Sequence, residues 1–217
     1  MTDLKGKVVL ITGAGKGSGR KLAAAFAQQG AIVAANDISP INVEEVVEKI
    51  NADGGQAKAY IDDVAKKVGA QALVKSVEDD FGRIDILVNH AAVEPRSPLL
   101  DMDEWDWHRV LDVNLTGAFL MTQSVGRIMR EQGGGVIINL ISETDRDESP
   151  PAPARTEPDQ TEYSGPGKRV AFLASMAGLE AFSLEAAREL APYGIRVRAL
   201  KTNAEIETVL EFCRSSS

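Results

Sequence analysis

The residues best placed to do chemistry are the glycines of Thr12-Gly13-Ala14-Gly15-Lys16-Gly17-Ser18-Gly19. They follow the apolar, mostly β-branched run Val8-Val9-Leu10-Ile11 and precede the alanine-rich run Lys21 to Ala27. That order reads as buried strand, tight turn and helix. A turn holding four glycines lets the backbone approach an anion, and the free N–H groups and positive dipole end of the helix face the same spot. The chemistry is the holding of a pyrophosphate. The Gly-x-Gly-x-x-Gly spacing fails, because Ser18 or Arg20 falls at the sixth position counted from Gly13 or Gly15. A carboxylate, Asp37, lies 18 residues beyond Gly19, at the end of the next apolar run. Such a group accepts hydrogen bonds from ribose hydroxyls and repels a 2′-phosphate, which favours NAD, while Lys16 could reach a phosphate and keeps NADP open.

The elements that must position these residues alternate regularly. Strand-like runs near 7–11, 31–36, 56–61, 84–88, 135–141 and 195–200 are separated by helical patterns near 17–29, 41–52, 66–81, 102–131, 169–191 and 204–213. Strict β-α alternation predicts an α/β fold, a three-layer doubly wound parallel sheet of about six strands in a single domain over 1–217. Right-handed crossovers then gather the carboxyl ends of the strands, with the glycine turn and Asp37, at one edge. The stretch 143–167, rich in Pro, Asp and Glu, breaks the rhythm and reads as an inserted polar loop.

Composition narrows the classes. The 217 residues carry 24 basic and 32 acidic side chains, a net charge of −8 that argues against a nucleic-acid surface. The single cysteine, Cys213, excludes an internal disulfide, so a reducing cytoplasm is the expected location. No leader-like apolar segment or membrane-spanning run is expected, and two histidines without a Cys/His cluster make a metal site improbable.

Further motifs carry a family likeness. Thr12-Gly13-x-x-x-Gly17-x-Gly19, Asn89-His90-Ala91-Ala92, Asp112-Val113-Asn114-Leu115-Thr116-Gly117 and the strand Gly135 to Ser142 together resemble the short-chain dehydrogenase/reductase family over roughly the first two-thirds of the chain. The resemblance implies a Rossmann fold, a bound NAD (NADP less so), and cofactor contacts at Gly13, Lys16, Gly17, Ser18, Gly19, Asp37, Ile38, Asp63, Val64, Asn89 and Ala91. It implies catalytic roles for Asn114, which in the family holds a relay water, and for Ser142. His90 stands where the family has an amide, so a structural role is expected for it. His108, beside Trp105 and Trp107, is expected at the surface or an interface.

The family's reaction needs a tyrosine as general acid/base and a lysine one helical turn later to lower its pKa. Tyr163 and Lys168 are five residues apart, about 140° round a helix, with Gly165-Pro166-Gly167 between them. The helix containing Ala174-Ser175-Met176-Ala177-Gly178-Leu179-Glu180 sets a better register, in which Phe172 takes the tyrosine position and Met176 the lysine position. Losing both partners to apolar residues of similar shape is nearly neutral for folding, whereas losing one would strand a buried polar group at about 1–3 kcal/mol. After Lys201 the sequence runs through Thr202-Asn203 almost directly into Ala204 to Phe212, without the family's Pro-Gly, so the family's substrate lid and final strand are expected to be absent.

Three readings follow: an NAD(H)-binding protein with an impaired active site; an active NAD(P)-dependent oxidoreductase acting on an alcohol or ketone through Ser142, Asn114 and a substitute donor such as Tyr163 or His90; and a scaffold that binds no dinucleotide. Partners are expected to be the dinucleotide, a small molecule of unassigned identity and further copies of the chain in a homodimer or homotetramer, through Trp105, Trp107 and the small face at Ala177, Gly178 and Ala181. No nucleic acid or membrane is expected.

Overall fold

A computed structural model describes residues 4–141, 168–201 and 206–214. Strand β1 (Val8–Thr12) is buried at every position. Val9 and Ile11 join one core while Val8 and Leu10 join another, so both faces of the strand need apolar residues and no alternation shows in the sequence. β2 (Ile32–Asn36), β3 (Gln56–Tyr60), β4 (Ile86–Asn89), β5 (Gly135–Ile141) and β6 (Ile195–Lys201) complete a sheet of order β3-β2-β1-β4-β5-β6. Every pairing is parallel. The order reverses direction at β1, whose neighbours are β2 and β4, and this switch point opens the ligand-binding crevice of such sheets.

Helices α1 (Gly17–Gln28), α2 (Pro40–Ala52) and α7 (Ile206–Arg214) cover one face. The other face is covered by α3 (Lys67–Phe81), α5 (Gly117–Gln132) and the later part of α6 (Val170–Leu190). The helix expected over 102–131 is interrupted. α4 (Glu104–Leu111), whose first turn Asp103 caps by accepting from the Trp105 N–H at 2.7 Å, runs into a wide π-helical turn at Asp112–Thr116 before α5 begins. No residue type marks the i→i+5 bonding of such a turn, so the sequence pattern does not reveal it.

The apolar stretch Val170–Tyr193 is long and apolar enough to cross a membrane by length and composition, contrary to expectation. Its buried residues Ala171, Phe172, Ser175, Met176, Leu179, Ser183 and Ala186 fall on one side at helical spacing, the stripe of a helix packed on a sheet. At the foot of β1, Asp85 accepts from the Val8 N–H at 2.9 Å and pairs with Lys7 at 3.0 Å and with Arg83. Burial pushes the carboxyl up, but Arg83, Val8 and Lys7 together hold it below the usual carboxylate range.

Candidate functional site

At the carboxyl ends of β1, β2 and β4 lies a cleft of about 650 Å3. Its walls come from the turn after β1 (Gly13 to Ser18), from Asp37 and Ile38 after β2, from Asp63 and Val64 after β3 and from His90 to Glu94 after β4. Trp105 and Arg109 of α4 flank its rim, and Leu140, Phe172 and Met176 close one end. The expected cofactor residues Gly13, Lys16, Gly17, Ser18, Asp37, Ile38, Asp63, Val64 and Ala91 are thus brought together on one surface.

The glycines are required by shape. Gly13 has φ +66°, and a Cβ there would lie 2.8 Å from Ala91 Cα. A Cβ on Gly19 would lie 2.3 Å from the Gly13 carbonyl oxygen, which makes Gly19 a packing residue beneath the turn rather than part of its surface. α1 begins with no side-chain cap and no acidic residue in its first turn, so its first N–H groups face the cleft's anion position without a protein acceptor from a cap. An uncapped helix end, a cradle that a Cβ would fill and a carboxylate at its rim fit a dinucleotide.

Asp37 is already engaged. One oxygen accepts from the Gly15 N–H and the other from the Ser39 N–H, each at 2.9 Å, which holds the carboxylate against the glycine turn. Asp63 similarly accepts from the Ala65 N–H at 3.0 Å.

Asn89 stands apart from the other expected contacts. It is buried, donates to Asn139 Oδ1 at 2.8 Å and reaches Thr122 at 3.3 Å, and it does not line the cleft. Its role is to tie β4 to β5 and α5, because a polar side chain inside the sheet must find partners there. Its own Oδ1 has no hydrogen-bond partner among the described residues and borders a small space of about 10 Å3, with Thr12, Asn114 and Met176, the size of one water.

Asn114 sits in the π-helical turn with both amide hydrogens used: Oδ1 accepts from the Val93 N–H at 2.8 Å, and Nδ2 donates to the Val93 carbonyl at 3.1 Å and to Ser175 Oγ at 3.0 Å. These bonds make the side chain a strut that fixes the loop after β4 and the register of α6. Ser175 in turn donates to the Phe172 carbonyl at 2.7 Å. Phe172 and Met176, 4% and 3% exposed, face the cleft end as an apolar wall. Ser142 and Tyr163, the expected serine and substitute proton donor, lie outside the described residues, as does the stretch 143–167.

Three structural residues escaped the sequence reading. Thr12 Oγ1 accepts from the His90 and Ala91 N–H groups at 3.1 and 3.2 Å, clamping the two loops at the switch point. Asn36 donates to the carbonyls of Tyr60 and Asp62, shaping the loop that carries Asp63. Asn139 links Asn89 to Ser183 Oγ at 2.8 Å. The signal was present, since each is a lone polar residue within or ending an apolar strand.

Of the residues expected at an interface, Ala177 and Ala181 are exposed, Gly178 is half-buried with Leu115 3.0 Å from where a Cβ would lie, and Trp105 is exposed at the cleft rim with Arg109 5.3 Å over its ring. A separate groove between α5 and α6 is lined by Phe119, Phe182, Arg130 and Tyr193. Its two phenylalanines pack edge to face at 6.2 Å.

Comparison with known proteins places this geometry. Residues 7–154 match the family described as short chain dehydrogenase. The chain is 37% identical to a D-threitol dehydrogenase of Mycolicibacterium smegmatis, over 91% of this chain and 69% of that protein. It is 36% identical to a 3-oxoacyl-[acyl-carrier-protein] reductase of a Synechocystis species, over 98% of this chain and 83% of that protein. Among solved structures, an NAD+-bound xylitol dehydrogenase superposes with a TM-score of 0.79 at 32% identity, covering 92% of this chain and 71% of that one. A metagenomic short-chain oxidoreductase in complex with NADP superposes with a TM-score of 0.85 at 25% identity, covering 99% and 94%.

Proposed function

The chain belongs to the short-chain dehydrogenase family, and from that premise we propose that it binds NAD(H) in the cleft and is impaired in hydride chemistry. The uncapped N-terminus of α1 and the glycine turn would hold the pyrophosphate, and Asp37 would accept from the adenosine ribose, favouring NAD. Asp63 and Val64 would flank the adenine. A bound nicotinamide supplies a hydride acceptor or donor. Among the described residues, the wall beside Leu140 offers a phenyl ring and a thioether at positions 172 and 176, which neither give nor take protons. The observation that carries this reading is that Phe172 and Met176 both line the cleft while Asn114 and Ser175 fix their helix in register.

The relatives favour a second reading, an active NAD(P)-dependent oxidoreductase. The matched proteins are named as dehydrogenases and reductases, whose names point to alcohols and ketones as substrates. In this reading Ser142, Asn114 and a substitute donor such as Tyr163 or His90 carry the proton transfer. NADH titration by fluorescence, paired with turnover on sugar alcohols and 3-oxo thioesters, separates the two. Binding without turnover supports the first; turnover abolished in Tyr163→Phe establishes the second; no binding up to millimolar NADH overturns both. We further propose association of copies through the α5–α6 groove, tested by light scattering of the eluted protein.

A further inference from the structure

His90 stands between the glycine turn and the helix that follows it. Its Nδ1 lies 3.0 Å from the Gly13 carbonyl oxygen and its Nε2 lies 2.7 Å from Ser18 Oγ. A carbonyl can only accept, so Nδ1 carries the hydrogen, and Nε2 of the neutral ring has only a lone pair to offer. Ser18 must therefore donate its one proton inward to the ring. Ser18 lines the cleft at the second residue of α1, and with its proton committed it turns lone pairs outward. That arrangement is unfavourable towards a phosphate oxygen, which is itself an acceptor.

We propose that His90 and Ser18 form a proton-linked latch on dinucleotide binding: as the pyrophosphate enters, the ring takes up one proton at Nε2, donates it to Ser18 Oγ, and Ser18 turns its own hydrogen to a phosphate oxygen. This rests on the dinucleotide reading above. One solvent proton is gained at Nε2 and no covalent bond between heavy atoms changes. In the free protein burial pushes the ring's pKa down, against the pull of the Gly13 carbonyl and of the Asp37 charge. An anion at the glycine turn adds to that pull. Other charged groups line the cleft: Lys16 beside Ser18, Asp62, Asp63 and Lys66 after β3, Glu94 after β4, and His108, Arg109 and Asp112 on or just after α4. Asp37 is the charge that acts on the ring.

The sign follows from linkage. His90 has a higher pKa in the complex than in the free protein, so the added affinity is complete below the free value and is lost as pH rises through the bound value. The chain has two histidines, so proton NMR of the full-length protein shows two imidazole signals, assigned with His108→Gln. With saturating NAD+ the His90 titration midpoint moves up. The dissociation constant for NADH rises at least about threefold between about pH 6.5 and about pH 8.5, bounded by tenfold per unit for one proton. His90→Asn removes this dependence, and Ser18→Ala, which leaves the ring in place, narrows it. A midpoint unchanged or lowered by NAD+, or an undiminished pH dependence in His90→Asn, overturns the latch while leaving NAD binding intact. If NAD+ at millimolar concentration moves no resonance of the protein, the dinucleotide reading itself fails.

Discussion

Asn114 Nδ2 donates to Ser175 Oγ at 3.0 Å, and this bond ties the turn between α4 and α5 to the helix that carries Phe172 and Met176. Ser175 passes the constraint on by donating to the Phe172 carbonyl. The register that puts an aromatic ring and a thioether on the cleft wall is therefore held by a buried polar pair, not only by apolar packing.

Rebuilding the reactive pair tests that register. Phe172→Tyr with Met176→Lys places a phenol and an ammonium four residues apart on one helix face. Turnover on alcohols or ketones is expected to rise by about 100-fold or more over the parent, the lower range of general acid–base catalysis. A double variant that binds NADH as the parent does and stays inert would move the defect to the substrate-entry side of the cleft.

Removing the anchor tests the same relationship from below. Ser175→Ala leaves Asn114 with its Val93 contacts but strips the bond to α6. A loss of about 1 kcal/mol in urea unfolding is expected, the net value of one buried hydrogen bond. Turnover in the rebuilt double variant should fall when this change is added.

Asp37 sets the ribose end. Asp37→Ala removes the acceptor of the Gly15 and Ser39 N–H groups as well as that of the ribose. NADH affinity should fall about tenfold, in line with a charge-assisted hydrogen bond of about 1.5 kcal/mol, and the preference for NADH over NADPH should shrink. Paired fluorescence titrations give both quantities.

Gly19→Ala tests the cradle. The added methyl would lie 2.3 Å from the Gly13 carbonyl oxygen and 2.6 Å from His90 Nδ1, and backbone is the harder neighbour to displace. Overpacking of this kind costs about 1–3 kcal/mol, and the displaced turn should lose NADH binding altogether. Calorimetric unfolding and a titration check both parts.

Asp85 governs stability in acid. Its folded pKa lies below the unfolded value of about 3.9, so its contribution is present above that value and is lost as pH falls through the folded value. Asp85→Asn should destabilise the protein by about 1–3 kcal/mol at neutral pH, with Lys7 and Arg83 left facing an amide. The gap to the parent closes at low pH, measurable by denaturant titration across the acid range.

Much of the fold was legible because it is written in short-range patterns. Apolar β-branched runs alternating with helical spacing located all six described strands within a residue or two and implied their parallel order. The π-helical turn at Asp112–Thr116 was not legible, because no residue type in that stretch marks the i→i+5 bonding that widens it. The position of Leu115 against Gly178 was likewise not legible, because it depends on how the π-helical turn meets α6.

By itself the sequence determined the residue types at the glycine turn, the carboxylate that follows it, and the absence of a phenol and an ammonium at positions 172 and 176. These are properties of composition and spacing, and no folding can change them. What the tertiary structure decided is which polar groups are spent on one another. Asn89 and Asn114 became struts, Asp37 became tied to the Gly15 amide, and His90 met Ser18 across 72 positions of chain. Hydrogen bonds are directional and act over about 3 Å, so their partners are fixed only once the strands and helices have been brought together.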